Sequence, residues 1–193
     1  MEANTMTIKH FEFFSTPLSG LTVIERKPIQ DERGFLCRFY CAEEFRAAGL
    51  QKPIVQINHT FTRKKGAVRG LHFQYPPYTE TKIVSCFRGE IFDVAVDIRL
   101  GSPTFLFWHT EILSATNRKS LLIPEGFAHG FQALTEDCEL VYLHTACYAP
   151  GAEGGLNVRD SRIAIAWPLH ISELSNRDLT YSYINDQFEG IRP

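Results

Sequence analysis

No stretch of the 193-residue chain approaches the roughly 18 apolar residues that a membrane-spanning helix needs. Charge of one sign is missing too: 20 Lys and Arg stand against 22 Asp and Glu, a formal net charge of -2. Neither nucleic acid nor a membrane surface is therefore expected as a partner. Segment 1–15 carries Glu2, Lys9, His10 and Glu12 and lacks the long apolar run of a secretory leader. The five cysteines (Cys37, Cys41, Cys86, Cys138 and Cys147) are odd in number and include no Cys-x-x-Cys pair. That argues against a disulfide framework and for reduced thiols in a cytoplasmic protein. Repeats, linkers and low-complexity segments are also lacking, so residues 1–193 read as one domain.

What is present is ordinary globular composition, with 44% hydrophobic and 22% charged residues, and the chain is long enough to bury a core unaided. Fifteen Phe and seven Tyr, together with 13 Gly and 10 Pro, favour short strands joined by tight turns. Period-2 alternation predicts a half-buried strand in which Phe92, Val94, Val96 and Ile98 oppose Asp93, Ala95, Asp97 and Arg99. Similar runs occur at Leu21–Ile29, Val55–Phe61, Val68–Gln74, Lys82–Phe87, Phe105–Leu113, Ser120–Ile123, Gly130–Leu134 and Leu140–Cys147. Turn signals such as Arg33-Gly34, Pro76-Pro77, Arg88-Gly89 and Pro124-Glu125-Gly126 separate them. Helices are expected only at Ala42–Ala48, stopped by Gly49, and at Leu174–Leu179, with Ser172 or Ser175 as cap. The pattern predicts an all-β domain, a β-sandwich or jelly roll, with a few short helices.

Two segments hold residues that packing does not require. In Arg69-Gly70-Leu71-His72-Phe73-Gln74, alternation puts His72 and Gln74 on one face with Gly70, a small residue beside two polar ones. In Pro124-Glu125-Gly126-Phe127-Ala128-His129-Gly130, a turn feeds a strand that begins near His129. An isolated histidine is more often a satisfied structural residue than a functional one, so each needs further support.

That support comes from a resemblance. Pro124-x-Gly126-x-x-His129 is similar to the second cupin motif. Arg69 to Gln74, Phe92 to Arg99, Ser102-Pro-Thr-Phe105, Ile123 to Phe131 and Trp167-Pro168 together resemble the dTDP-4-dehydrorhamnose 3,5-epimerase family. The likeness runs from Arg33-Gly34-Phe35 through Leu174-Ser175 and Asp178. It implies a cupin fold and a cofactor-free isomerase acting on a nucleotide-linked 4-keto-6-deoxyhexose. The keto group acidifies both α-carbons, so inversion needs a base on one face, an acid on the other, and a group holding the enolate.

The resemblance assigns His72 as base, Asp160 as the carboxylate orienting it, Tyr142 as acid, Lys82 beside the keto oxygen and Tyr148 as a second tyrosine serving C5. Arg69 matches a diphosphate contact, which its guanidinium fork suits. Arg33, Arg38, Gln56, Asn58, His129 and Glu153 fall on positions that bind the nucleotide sugar. Arg33 is expected to reach a neighbouring subunit's site, which implies a homodimer with exchanged N-terminal strands.

Two positions depart from the family pattern. Arg38 replaces an acidic residue at the nucleotide end, and Ile57 replaces a common Asp between Gln56 and Asn58. Both raise the alternative of a CDP-linked or other 4-keto sugar. A metal-dependent cupin enzyme is the rival chemistry, but His72-Phe73-Gln74 lacks the second imidazole of its His-x-His ligand pair, so no metal is expected. A non-catalytic sugar-nucleotide-binding scaffold would not need His72, Asp160, Tyr142 and Lys82 together.

Overall fold

The structure, a computed structural model, describes residues 10–193. Within them the first strands are β1 (Phe11–Ser15), β2 (Thr22–Arg26), β3 (Ile29–Asp31) and β4 (Gly34–Leu36). Helix α1 (Ala42–Ala47) leads into β5 (Gln56–Thr62), β6 (Val68–Gln74), β7 (Lys82–Arg88), β8 (Glu90–Asp97) and β9 (Trp108–Ser114). Strands β10 (Lys119–Ile123), β11 (Phe127–Ala133), β12 (Cys138–His144) and β13 (Glu153–Gly155) follow, and α2 is Asn176–Thr180.

Two antiparallel sheets face each other, ordered β1-β2-β10-β7-β12-β5 and β13-β6-β11-β8-β9, with β3 and β4 as a separate hairpin. This is the expected jelly roll. Both helices fall where expected. Gly49 stops α1 at φ +105°, and Ser175 caps α2 by accepting from the Asp178 amide at 3.0 Å. Ser172 instead donates to the Lys65 carbonyl, and β1 carries no alternation strong enough to predict it.

Between the sheets, Leu21, Val84, Ile91, Ala95, Leu121, Phe131 and Leu140 form the main apolar core. The outer face of the smaller sheet is covered by the arm that follows β13: Leu156, Val158, Ile163 and Ile191 pack on Leu71, Phe73, Val94 and Val96. Strand β8 is therefore buried on both faces rather than half-buried. On the outer face of the larger sheet, Phe45 of α1 joins Phe11, Ile24, Ile83, Leu122 and Leu143.

One irregularity positions the site. Strand β6 pairs with β11 at His72↔His129, but the next pair is Arg69↔Phe131, so β6 carries an extra residue. This β-bulge breaks the period-2 rule, and both Arg69 and His72 line the interior pocket while Leu71 and Phe73 pack in the outer core. Gly70 makes the bulge possible. Its φ is +129°, and a Cβ there would lie 2.5 Å from the Gly130 Cα. Its small size serves this approach of two backbones, and it is not part of the pocket wall as alternation suggested.

Gly70→Ala is expected to lose roughly 1–3 kcal/mol from backbone strain alone, with the clash adding to it. Urea unfolding measures this, and an unchanged midpoint would show that the bulge tolerates a side chain.

Candidate active site

The bulge opens onto a pocket of about 470 Å³ between the two sheets. Strand β6 supplies Arg69, His72 and Gln74, and β11 supplies His129. From the opposing sheet come Gln56, Asn58 and Thr60 on β5, Lys82 on β7, and Tyr142 and His144 on β12. Tyr148, Glu153, Arg177 and Asp178 complete the rim.

His72 Nε2 lies 2.7 Å from Asp178 Oδ1, and Asp178 is almost wholly buried. The carboxylate is fixed by α2, whose cap at Ser175 holds the Asp178 amide, and its other oxygen accepts from the Gly70 amide at 3.5 Å. Burial pushes the Asp178 carboxyl up, but hydrogen bonds from His72, Ser175 and Gly70 together outweigh it and hold it below its usual value. It stays ionised, so Nε2 carries the proton donated to it and Nδ1 is left as the basic nitrogen. Tyr181 packs edge-on against the imidazole, with ring centroids 6.0 Å apart. Arg177 donates to Glu153 at 2.7 and 3.0 Å, and one of its terminal nitrogens lies 3.3 Å from His72 Nε2.

Asp160 is not the partner of His72. It is buried in the arm, where its carboxylate accepts from the backbone amides of Arg162 and Ile184, and it does not line the pocket. Both of its oxygens are spent on holding the arm's turns. The sequence feature that does mark Asp178 is Ser175-x-x-Asp178 at a helix start, a capping pattern that places a carboxylate at a fixed site.

On the opposite sheet, Lys82 is buried and its Nζ lies 3.1 Å from Glu80 Oε1. Glu80 Oε2 accepts from His144 Nδ1 at 2.7 Å, and His144 Nε2 accepts from Asn58 at 3.3 Å. Gln56 in turn donates to Asn58 at 3.1 Å. Burial raises the Glu80 carboxyl, but the Lys82 charge and the hydrogen bond from His144 more than reverse this and lower it to about 2. Tyr142 stacks on His144 and meets His129 edge-on, and His129 is fixed by Asp93 at 2.8 Å. Burial, with the Asp93 charge adding to it, pushes the Tyr142 phenol well above its usual value, so it holds its proton at neutral pH.

Tyr148 is half exposed and donates to Glu153 at 2.9 Å, a hydrogen bond that raises its phenol. Arg69 spans the two sheets, donating to Thr62 Oγ1 at 2.9 Å and the Phe61 carbonyl at 3.0 Å. Gln74, in the place of a second cupin imidazole, holds the loop before β13 by accepting from the Ala149 amide at 2.7 Å. Among the described residues no group of three or more His, Cys, Asp or Glu could hold a metal ion.

Arg33 and Arg38 do not reach this pocket within one chain. Arg33 stands at the tip of the β3–β4 hairpin, 90% exposed and paired with Asp31, and Arg38 pairs with Glu44 of α1. Ile57 is 64% exposed and is not among the pocket residues, unlike Gln56 and Asn58 on either side of it. Its departure from the family pattern removes nothing from this chain's pocket. Sequence reasoning missed Glu80, His144, Arg177 and Asp178. The first two have no motif of their own, and Arg177 is found only once α2 is docked beside His72.

The family model for dTDP-4-dehydrorhamnose 3,5-epimerase matches residues 15–186. The chain belongs to that family. It is 43% identical to the dTDP-4-dehydrorhamnose 3,5-epimerase of Shigella flexneri, covering 85% of this chain and 91% of the relative. The Salmonella typhimurium enzyme is 44% identical, over 84% and 90%. The fold matches a dTDP-6-deoxy-D-glucose-3,5-epimerase of Legionella pneumophila, solved in complex with dTDP-4-keto-L-rhamnose. That match has a TM-score of 0.89 at 39% identity, covering 95% of this chain and 99% of the other. Family members are epimerases, that is, isomerases, with a cupin-like fold.

Two outcomes follow from this geometry. Asp178→Asn is expected to lower turnover by about 10²-fold or more, because the imidazole loses both its tautomer and its counter-charge. Asp160→Asn should instead lower the unfolding midpoint while the folded fraction keeps its turnover; rates corrected for folded protein distinguish the two. The second outcome concerns pH. Glu80, ordinarily near 4.5, falls to about 2 in the folded state. Its stabilisation is therefore complete above about 4.5 and is lost as pH falls toward about 2. Urea unfolding across that interval should show a flatter stability–pH curve for Glu80→Gln.

Proposed function

We propose that this chain epimerises a dTDP-linked 4-keto-6-deoxyhexose at C3 and C5, as its relatives' names describe. The observation that carries the reading is the placement of His72–Asp178 on one sheet and Tyr142 with Lys82 on the other, across a single pocket. A sugar ring lying between the sheets would have a base on one face and an acid on the opposite face. His72 takes the α-proton, and its imidazolium is stabilised by ionised Asp178. The electron pair moves onto the keto oxygen, where the Lys82 ammonium offsets the charge of the enolate. Tyr142 then returns a proton to the same carbon from the other side, which inverts the centre. Tyr148, at the pocket mouth with Glu153, serves the second centre.

Arg69 and Arg177, the two guanidiniums of the pocket, suit the diphosphate. The exposed β3–β4 hairpin, with Arg33 at its tip and Phe35 and Leu36 beside it, fits exchange into a homodimer partner, where Arg33 and Arg38 would meet the nucleotide. The names of the relatives favour the dTDP-linked substrate over the CDP-linked one. Five free cysteines fit a reducing cytoplasm.

Solvent-deuterium incorporation tests the reaction. EDTA-treated enzyme should exchange C3 and C5 protons of dTDP-4-keto-6-deoxyglucose, followed by NMR, and should exchange the CDP-linked sugar more slowly. His72→Ala should lower the rate by about 10²–10⁴-fold. Exchange at the parent rate in that variant would overturn the assignment of the base. Loss of activity on chelation, restored by metal, would move the reading to a metal cupin.

A further inference from the structure

A second pocket, of about 150 Å³, shares no lining residue with the first. It lies where the ends of β2 and β7 meet the β9–β10 turn. Its polar walls are two guanidiniums, Arg26 and Arg118. Arg26 is 6% exposed, and its buried NH1 has no hydrogen-bond partner among the described residues. The Nε of Arg118 is likewise buried without one. Both guanidiniums also face aromatic rings. The Arg26 guanidinium carbon lies 5.3 Å from the ring centres of both Phe39 and Phe87, and that of Arg118 lies 5.0 Å from Phe35.

Such a site lacks its counter-charge. Among the described residues no carboxylate forms an ion pair with either arginine; Arg33, Arg38, Arg88, Arg99, Arg162 and Arg177 have one, and the others without one (Arg46, Arg63, Arg69, Arg159 and Arg192) are exposed to solvent. The Cys86 thiol in the wall does not supply the charge, because burial pushes it up to about 12 and keeps it protonated. Burial also lowers the Arg26 guanidinium, and the like charge of Arg118 works in the same direction. Arg118 further adopts φ +55°, a turn conformation that Gly or Asn takes without strain. The turn itself supports this conformation, with the Arg118 amide donating to the Ser114 carbonyl and the Arg118 carbonyl accepting from the Arg26 amide, both at 3.3 Å.

We infer that this pocket is a second binding site, for a compact oxyanion such as phosphate or a small carboxylate. The two forks offer several N–H donors, and the volume is about that of five water molecules at about 30 Å³ each. The inference does not depend on the epimerase reading.

Thermal unfolding at constant ionic strength tests it, with chloride exchanged for inorganic phosphate in one arm and for acetate in the other. A tenfold excess over the dissociation constant should raise the parent's Tm by about 3–6 °C in at least one arm. Arg118→Gln should lose that shift and keep the parent's epimerase rate, whereas a shift retained in full would assign it to the other pocket and overturn the proposal. Ala115, exposed on the pocket wall, gives a test that does not weaken the fold. Ala115→Glu supplies an internal carboxylate, so it should melt above the parent in chloride and no longer respond to the oxyanion. An Ala115→Glu variant that gains no stability and still responds like the parent would also overturn the proposal.

Discussion

The site depends on the close approach of two backbones, Gly70 on β6 and Gly130 on β11. Without it the extra residue of the bulge has no room, and a regular strand would direct Arg69 and His72 to opposite faces. With it, a guanidinium and an imidazole three residues apart enter the same pocket. The same contact aims the Gly70 amide at Asp178, so the bulge also helps to fix the carboxylate that serves the imidazole. One irregular residue pair thus brings His72, its counter-charge and Arg69 into one pocket.

The opposing sheet is organised by charge. Buried Lys82 would be costly alone, and Glu80 offsets it while using its second oxygen to hold His144. His144 then holds Asn58 and stacks on Tyr142, so a chain of contacts runs from the ammonium to the phenol. Each member removes a freedom from the next, which is how a pocket keeps reactive groups in register before a ligand arrives. On the far side, Asp93 does the same for His129.

The fold was largely legible in the sequence because alternation, turn residues and helix stops agree with one another. Strand β8 is the instructive exception. Its two faces differ in chemistry, as alternation predicts, yet both are buried, because a later arm covers the one expected to meet solvent. The site was legible where resemblance fixed a residue on a strand, as for His72, Lys82 and Tyr142. It failed at the carboxylate. Asp160 and Asp178 both lie in the irregular C-terminal arm, where no periodicity says which one turns inward. Only the cap at Ser175 and the docking of α2 against β6 decide it. Arg69 was legible as a residue, but its orientation was not, because a bulge is a tertiary accommodation between two glycines.

That arm gives the imidazole its carboxylate and also covers the outer face of the smaller sheet. Residues that share a cooperative unit open together, on a free-energy scale that differs from one region of a protein to another. Ile163, Trp167, Ile184 and Ile191 hold the arm down, and Asp178 travels with it. Any fluctuation that lifts the arm strips His72 of its counter-charge and exposes Leu71, Phe73 and Val94 at the same moment. An opened molecule therefore lacks the His72–Asp178 pair while it is sticky, and the same apolar contacts that close the arm restore that pair.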